Sequence, residues 1–137
     1  MLPFGNRTVI ETLTGAQLTE AMLNGVSPVC NPAIATGRFP QVSGLKVAFH
    51  CNGIAPVVDG IWLAPDGPAG TLTPLAPGDS VRLVTNDFML TGGDGYTALT
   101  EGTDVQQPGD ALLDVVIDYI KENSPIDPRV EGRLVQK

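Results

Sequence analysis

The stretch Arg7–Gly25, RTVIETLTGAQLTEAMLNG, decides the fold, because a period of two gives way there to a helical period. Val9, Glu11 and Leu13 fall on one side and Thr8, Ile10 and Thr12 on the other, which is the alternation of a strand. From Thr14 onward Leu18, Ala21, Met22 and Val26 recur along one stripe. Thr14 and Gln17, three residues apart, have the spacing of a capping box, and Asn24-Gly25 is the expected C-terminal stop. A strand therefore feeds directly into an amphipathic helix.

Working outward, Leu45, Val47 and Phe49 alternate with Lys46, Ala48 and His50 in a second strand. The segment PVVDGIWLAPDG reads as a strand pair or one bulged strand around Asp59-Gly60, with Trp62 packed on the sheet. SVRLVT is a further strand. PGDALLDVVIDYIKENSP predicts a helix capped by Asp110, with Leu113, Val116, Ile117 and Ile120 as its buried stripe. Lys121 suits the C-terminal dipole of that helix, Pro125 stops it, and EGRLVQK adds a last short strand. The elements do not alternate as βαβ units, so the expectation is a single α+β domain, a mixed β-sheet covered by two main helices.

Composition narrows the function. At 137 residues the chain suits one domain able to bury roughly two thirds of its unfolded surface. The formal net charge is −7 with eight Lys plus Arg and no basic cluster, which argues against nucleic acid as a partner. No apolar run approaches a membrane span. The opening MLPFGN reads like the start of an excised domain, and no secretory leader is expected within these residues. Two cysteines, Cys30 and Cys51, are either a bridge closing a loop worth roughly 3 kcal/mol or two unrelated thiols; spacing does not choose between them.

No metal-ligand spacing and no Gly-x-Ser-x-Gly elbow occurs, and the lone His50 reads as a sheet-edge residue. The chain does not read as a complete enzyme. What draws attention is NDFMLTGGDGY, Asn86 to Tyr96. Gly92, Gly93 and Gly95 permit positive φ and close approach of a ligand to the backbone, and Asp94 is held among them with a carboxylate free to project. A carboxylate accepts from two adjacent hydroxyls, as in a ribose, and an aromatic face stacks on a base. Phe88 opens this loop, and Phe4, between Pro3 and Gly5, is a second phenylalanine outside any periodic element. The rival reading packs both rings inward and spends Asp94 on loop amides.

LPFGN, TLTGAQLTEAMLNGVS, GRFPQVSGLKVAF, NDFMLTGGDGY and SPIDPRVEGRL stand in the order that resembles the C-terminal domain of the 5'-nucleotidase and UDP-sugar hydrolase family, over almost the whole chain. The resemblance implies that residues 1–137 are the substrate-recognition domain of a secreted, periplasmic or cell-surface phosphohydrolase. It implies no cofactor in this chain, and two divalent metal ions in an N-terminal metallophosphoesterase domain of the same parent. It further implies that Phe4 and Phe88 sandwich a nucleoside base, that Asp94 binds the ribose hydroxyls, with Gly92 and Gly93 shaping the loop, and that this chain alone is inactive. The Pro28–Thr36 loop with Cys30 does not map onto the family pattern, and Met89-Leu90-Thr91 is bulkier than is usual there. The alternative is a non-catalytic module for a sugar or other ligand.

Overall fold

The computed structural model describes residues 4–106 and 109–137, so Met1, Leu2, Pro3 and Pro108 of the motifs above lie outside the described residues. The chain is α+β, with two sheets rather than one. Strand β1 (Thr8–Thr14) is the centre of a three-stranded antiparallel sheet, flanked by β5 (Ser80–Asn86) and β6 (Thr103–Gln106). The second sheet has the order β4-β3-β2-β7, from β2 (Leu45–Asn52), β3 (Ala55–Leu63), β4 (Thr73–Pro74) and β7 (Leu134–Gln136). It is mixed, because β7 runs parallel to β2 while the other pairs are antiparallel.

Helix α1 (Gly15–Cys30) begins where the capping box placed it: Thr14 accepts from the Gln17 backbone N–H, and the Gln17 side chain accepts from the Thr14 N–H. Leu18, Ala21, Met22 and Val26 are buried, and the first three join Leu13 of one sheet and Val47 and Ile61 of the other in one core. That shared core ties the two sheets into one domain.

Asn24-Gly25 does not end the helix, which runs on through Pro28. A proline at position 28 leaves the carbonyl of Asn24 without its helical N–H donor. The Ser27 hydroxyl donates to that carbonyl at 2.6 Å instead. Val26 and Cys30 are buried beyond the expected stop, so packing overrides the local signal. At the end of α1, Cys30 is bridged to Cys51 near the end of β2, with a Cα–Cα distance of 5.3 Å.

The segment around Asp59-Gly60 is one bulged strand. Ala48 pairs with Gly60 and Phe49 with Val58, leaving Asp59 as the extra residue. Gly60 leaves room for the Trp62 ring, from which a Cβ would fall 2.7 Å.

Helix α3 (Leu112–Asn123) departs from expectation in two ways. Its N-cap is Ala111 rather than Asp110, because residues 109–112 first pair with the chain entering β1. The Thr8 N–H donates to Asp110 O at 2.9 Å and the Leu112 N–H to Asn6 O at 2.9 Å. The stripe of Leu113, Val116, Ile117 and Ile120 is not buried: these residues are 46, 36, 38 and 45% exposed. A cleft runs past the start of α3, where Leu112 and Val115 line it.

Candidate functional site

Antiparallel pairing of β1 with β5 sets Thr8 opposite Asn86. The residues before Thr8 and those after Asn86 therefore leave the sheet at the same end, which places the segments carrying Phe4 and Phe88 there together. Reciprocal bonds fasten this end: the Asp87 N–H donates to Arg7 O at 3.0 Å, and the Arg7 N–H to Asp87 Oδ1 at 3.2 Å. Asn86 caps the single turn α2 (Asp87–Leu90) by accepting from the Met89 N–H at 2.8 Å, so Phe88 rides on a capped turn.

Both phenylalanines are open to solvent, Phe4 at 77% and Phe88 at 50%. This is the opposite of the inward packing that a purely structural role would require. Phe88 lies against the glycine loop, because a Cβ on Gly93 would fall 2.5 Å from its ring. Gly92 has φ +86° and Gly95 φ +81°, and between them Asp94 itself is left-handed at φ 55°. Asp tolerates this region better than most residues, and here it has outside support as well.

That support comes from residues that the sequence did not mark as part of the site. Asn24 of α1 donates through Nδ2 to the Asp94 carbonyl at 3.1 Å. Arg38 donates through Nη1 to Asn24 Oδ1 at 3.0 Å. Tyr96, 2% exposed, donates its hydroxyl to the Arg38 carbonyl at 2.6 Å. Its pKa is pushed up to about 12, first by burial and then by the Asp94 charge, with Arg38 partly opposing. A cleft of about 910 Å³ opens beside Asp94, with Arg38, Tyr96 and Met89 in its lining. Tyr96 stood in the quoted glycine loop, but nothing in its spacing marked it as the hydroxyl that clamps residue 38.

His50 is on β2 one residue past the stretch that pairs with β7, so it is paired on one side only, and its Nδ1 lies 2.8 Å from Oδ1 of the bulged Asp59. Glu11 is fully buried on the inner face of β1 and makes no hydrogen bond among the described residues. Its alternation with Val9 and Leu13 was the sequence signal, a carboxylate on an apolar face. Burial raises its pKa to about 6. Among the described residues no group of three or more His, Cys, Asp or Glu is placed to hold a metal ion, and no helix is long and apolar enough to cross a membrane.

The α+β domain thus carries two exposed phenylalanines and the left-handed Asp94 on segments next to one end of the β1–β5 pair. The chain belongs to the family described as 5'-nucleotidase, C-terminal domain, whose model matches residues 1–101. It is 33% identical over 135 residues to the trifunctional nucleotide phosphoesterase protein YfkN of Bacillus subtilis, covering 98% of this chain and 9% of that protein. It is 31% identical over 136 residues to a snake venom 5'-nucleotidase of Macrovipera lebetinus, covering 98% of this chain and 33% of the relative. The crystal structure of a 5'-nucleotidase precursor from Thermus thermophilus superposes with a TM-score of 0.81 at 34% identity, over 98% of this chain and 26% of that one. The chain thus spans a third or less of the length of these relatives.

Proposed function

We propose that this chain is the nucleoside-recognition domain of a 5'-nucleotidase-type phosphohydrolase. Phe4 and Phe88 hold the base between their rings, and the Asp94 carboxylate accepts from the ribose hydroxyls. Gly92 and Gly93 let the ligand approach the backbone. The observation that carries this reading is that two solvent-open phenylalanines and the left-handed Asp94 lie on segments next to one end of the β1–β5 pair. Family membership and relatives named as 5'-nucleotidases support it.

The catalytic step belongs, on this proposal, to an N-terminal metallophosphoesterase domain of the same parent, with two divalent ions held there. The described residues of this chain offer no cluster that fits such ions. What the chain contributes is binding energy remote from the reacting phosphate, which positions that phosphate for attack. The parent acts outside the cytoplasm, in keeping with the Cys30–Cys51 disulfide. Alone, the chain binds nucleosides weakly and turns nothing over. The test has two arms. Adenosine binding at millimolar concentration, lost in Phe88→Ala, is expected, with no phosphate release from nucleoside monophosphates under added Mn²⁺ or Co²⁺. Equal binding by wild type and Phe88→Ala, or metal-dependent turnover by this chain, overturns the reading.

A further inference from the structure

We infer that Asn24 and Arg38 are positioning residues for the Asp94 loop, and that their linkage sets the discrimination for a cis-diol. The inference deepens the nucleoside reading and, for its ligand arm, rests on it.

The geometry runs outward from the helix. Asn24 stands in the middle of α1, on an element anchored by the capping box at one end and the disulfide at the other. Its amide has two ends with different partners, and the partners fix its orientation. Arg38 has only donors to offer, so Asn24 must turn Oδ1 toward it and Nδ2 toward the Asp94 carbonyl. The bond from Nδ2 falls on the backbone of the left-handed residue itself. Asp94 is thereby held at φ 55° from its main chain, and its carboxylate is not consumed in the holding.

Three further contacts show that the loop is seated on this pair. A Cβ on Gly95 would lie 3.0 Å from Asn24 Oδ1 and 3.3 Å from Arg38 Nη1, so glycine is what lets the loop come down on it. A Cβ on Gly25, the residue after Asn24, would lie 2.6 Å from the Tyr96 hydroxyl, so the loop's exit packs on the same turn of α1. That hydroxyl then fastens the Arg38 carbonyl, closing a ring from α1 to the loop to residue 38 and back. The pair Asn24-Gly25, which has the sequence signature of a helix stop, serves instead as the seat of the glycine loop. A carboxylate that must meet two hydroxyls at once gains from such fixing, because displacement by about an ångström removes one of its two bonds.

The test compares the wild-type chain with Asn24→Asp, which keeps the volume and the acceptor for Arg38 but removes the donor to Asp94, and with Arg38→Gln. Backbone resonances of Asp94 and Gly95 are recorded without ligand, and dissociation constants are measured for adenosine and 2',3'-dideoxyadenosine. In Asn24→Asp the Asp94 Cα and carbonyl shifts are expected to leave the left-handed range. The preference for adenosine over the dideoxy compound is expected to fall about fivefold, with dideoxyadenosine binding unchanged. A merely structural role would weaken both ligands together. Unaltered Asp94 resonances in both variants overturn the positioning role, whether or not a nucleoside binds. Altered resonances in a chain that ignores adenosine uphold it and overturn only the ribose reading.

Discussion

Glu11 gives a pH dependence whose sign and size follow from its surroundings. The carboxyl is fully buried on β1, makes no hydrogen bond among the described residues, and abuts Gly102, where a Cβ would meet Oε2. Burial raises its pKa from 4.5 to about 6 in the folded chain. The folded state therefore holds the proton more tightly than the unfolded state does. Its contribution to stability is fully present below pH 4.5 and is lost as pH rises through 6. A shift of that size corresponds to about 2 kcal/mol, or a change of roughly 8 °C in Tm for a domain of this length. The perturbation is Glu11→Gln, which keeps the shape and cannot ionise. Urea unfolding of both proteins is measured from pH 4 to pH 8, so that titration of the other carboxylates cancels in the difference. Relative to wild type, Glu11→Gln is expected to gain about 2 kcal/mol between pH 4 and pH 7 and to stay level above that. A difference independent of pH would refute the reasoning, since it would mean that Glu11 is solvated or partnered in the folded protein.

Three other expectations rest on close contacts. Gly93→Ala puts a methyl 2.5 Å from the Phe88 ring, so nucleoside affinity is expected to fall about tenfold with stability nearly unchanged, read by titration and thermal melting. Gly25→Ala drives a methyl into the Tyr96 hydroxyl and the Pro40 ring, at 2.6 and 2.8 Å, and is expected to cost about 1–3 kcal/mol in denaturant unfolding. Reducing the Cys30–Cys51 bridge, whose partners are 21 residues apart, is expected to cost about 3 kcal/mol, seen as a lower Tm under reductant.

The parts of this fold legible in the sequence are those set by local spacing. Thr14 and Gln17 declared the start of α1, and the alternation in Leu45–His50 declared β2. Asp59-Gly60 left open a strand pair or one bulged strand, and only the pairing across to β2 shows the bulge and which residue is extra. What stayed hidden depends on contacts between distant segments. Asn24-Gly25 has the chemistry of a stop, and only the burial of Val26 and Cys30 and the bond from Ser27 show why the helix continues. The stripe on α3 has the period of a buried face, but period says nothing of whether a surface lies opposite it, and here the stripe stays exposed. The candidate site divides in the same way. Phe4, Phe88 and Asp94 stand out because they break the local pattern. Asn24, Arg38 and Tyr96 do not, since their role exists only once α1, residues 36–38 and the glycine loop have met.

The central claim is that the exposed phenylalanines and Asp94 form one nucleoside slot. Its most direct test is a two-dimensional NMR titration of the ¹⁵N-labelled chain with adenosine, run beside uridine and glucose and repeated in Phe88→Ala. Shifts confined to the surroundings of Phe4, Phe88 and Asp94, saturating in the millimolar range and lost in the variant, are the expected result. Shifts centred elsewhere, or none up to tens of millimolar adenosine, would contradict it.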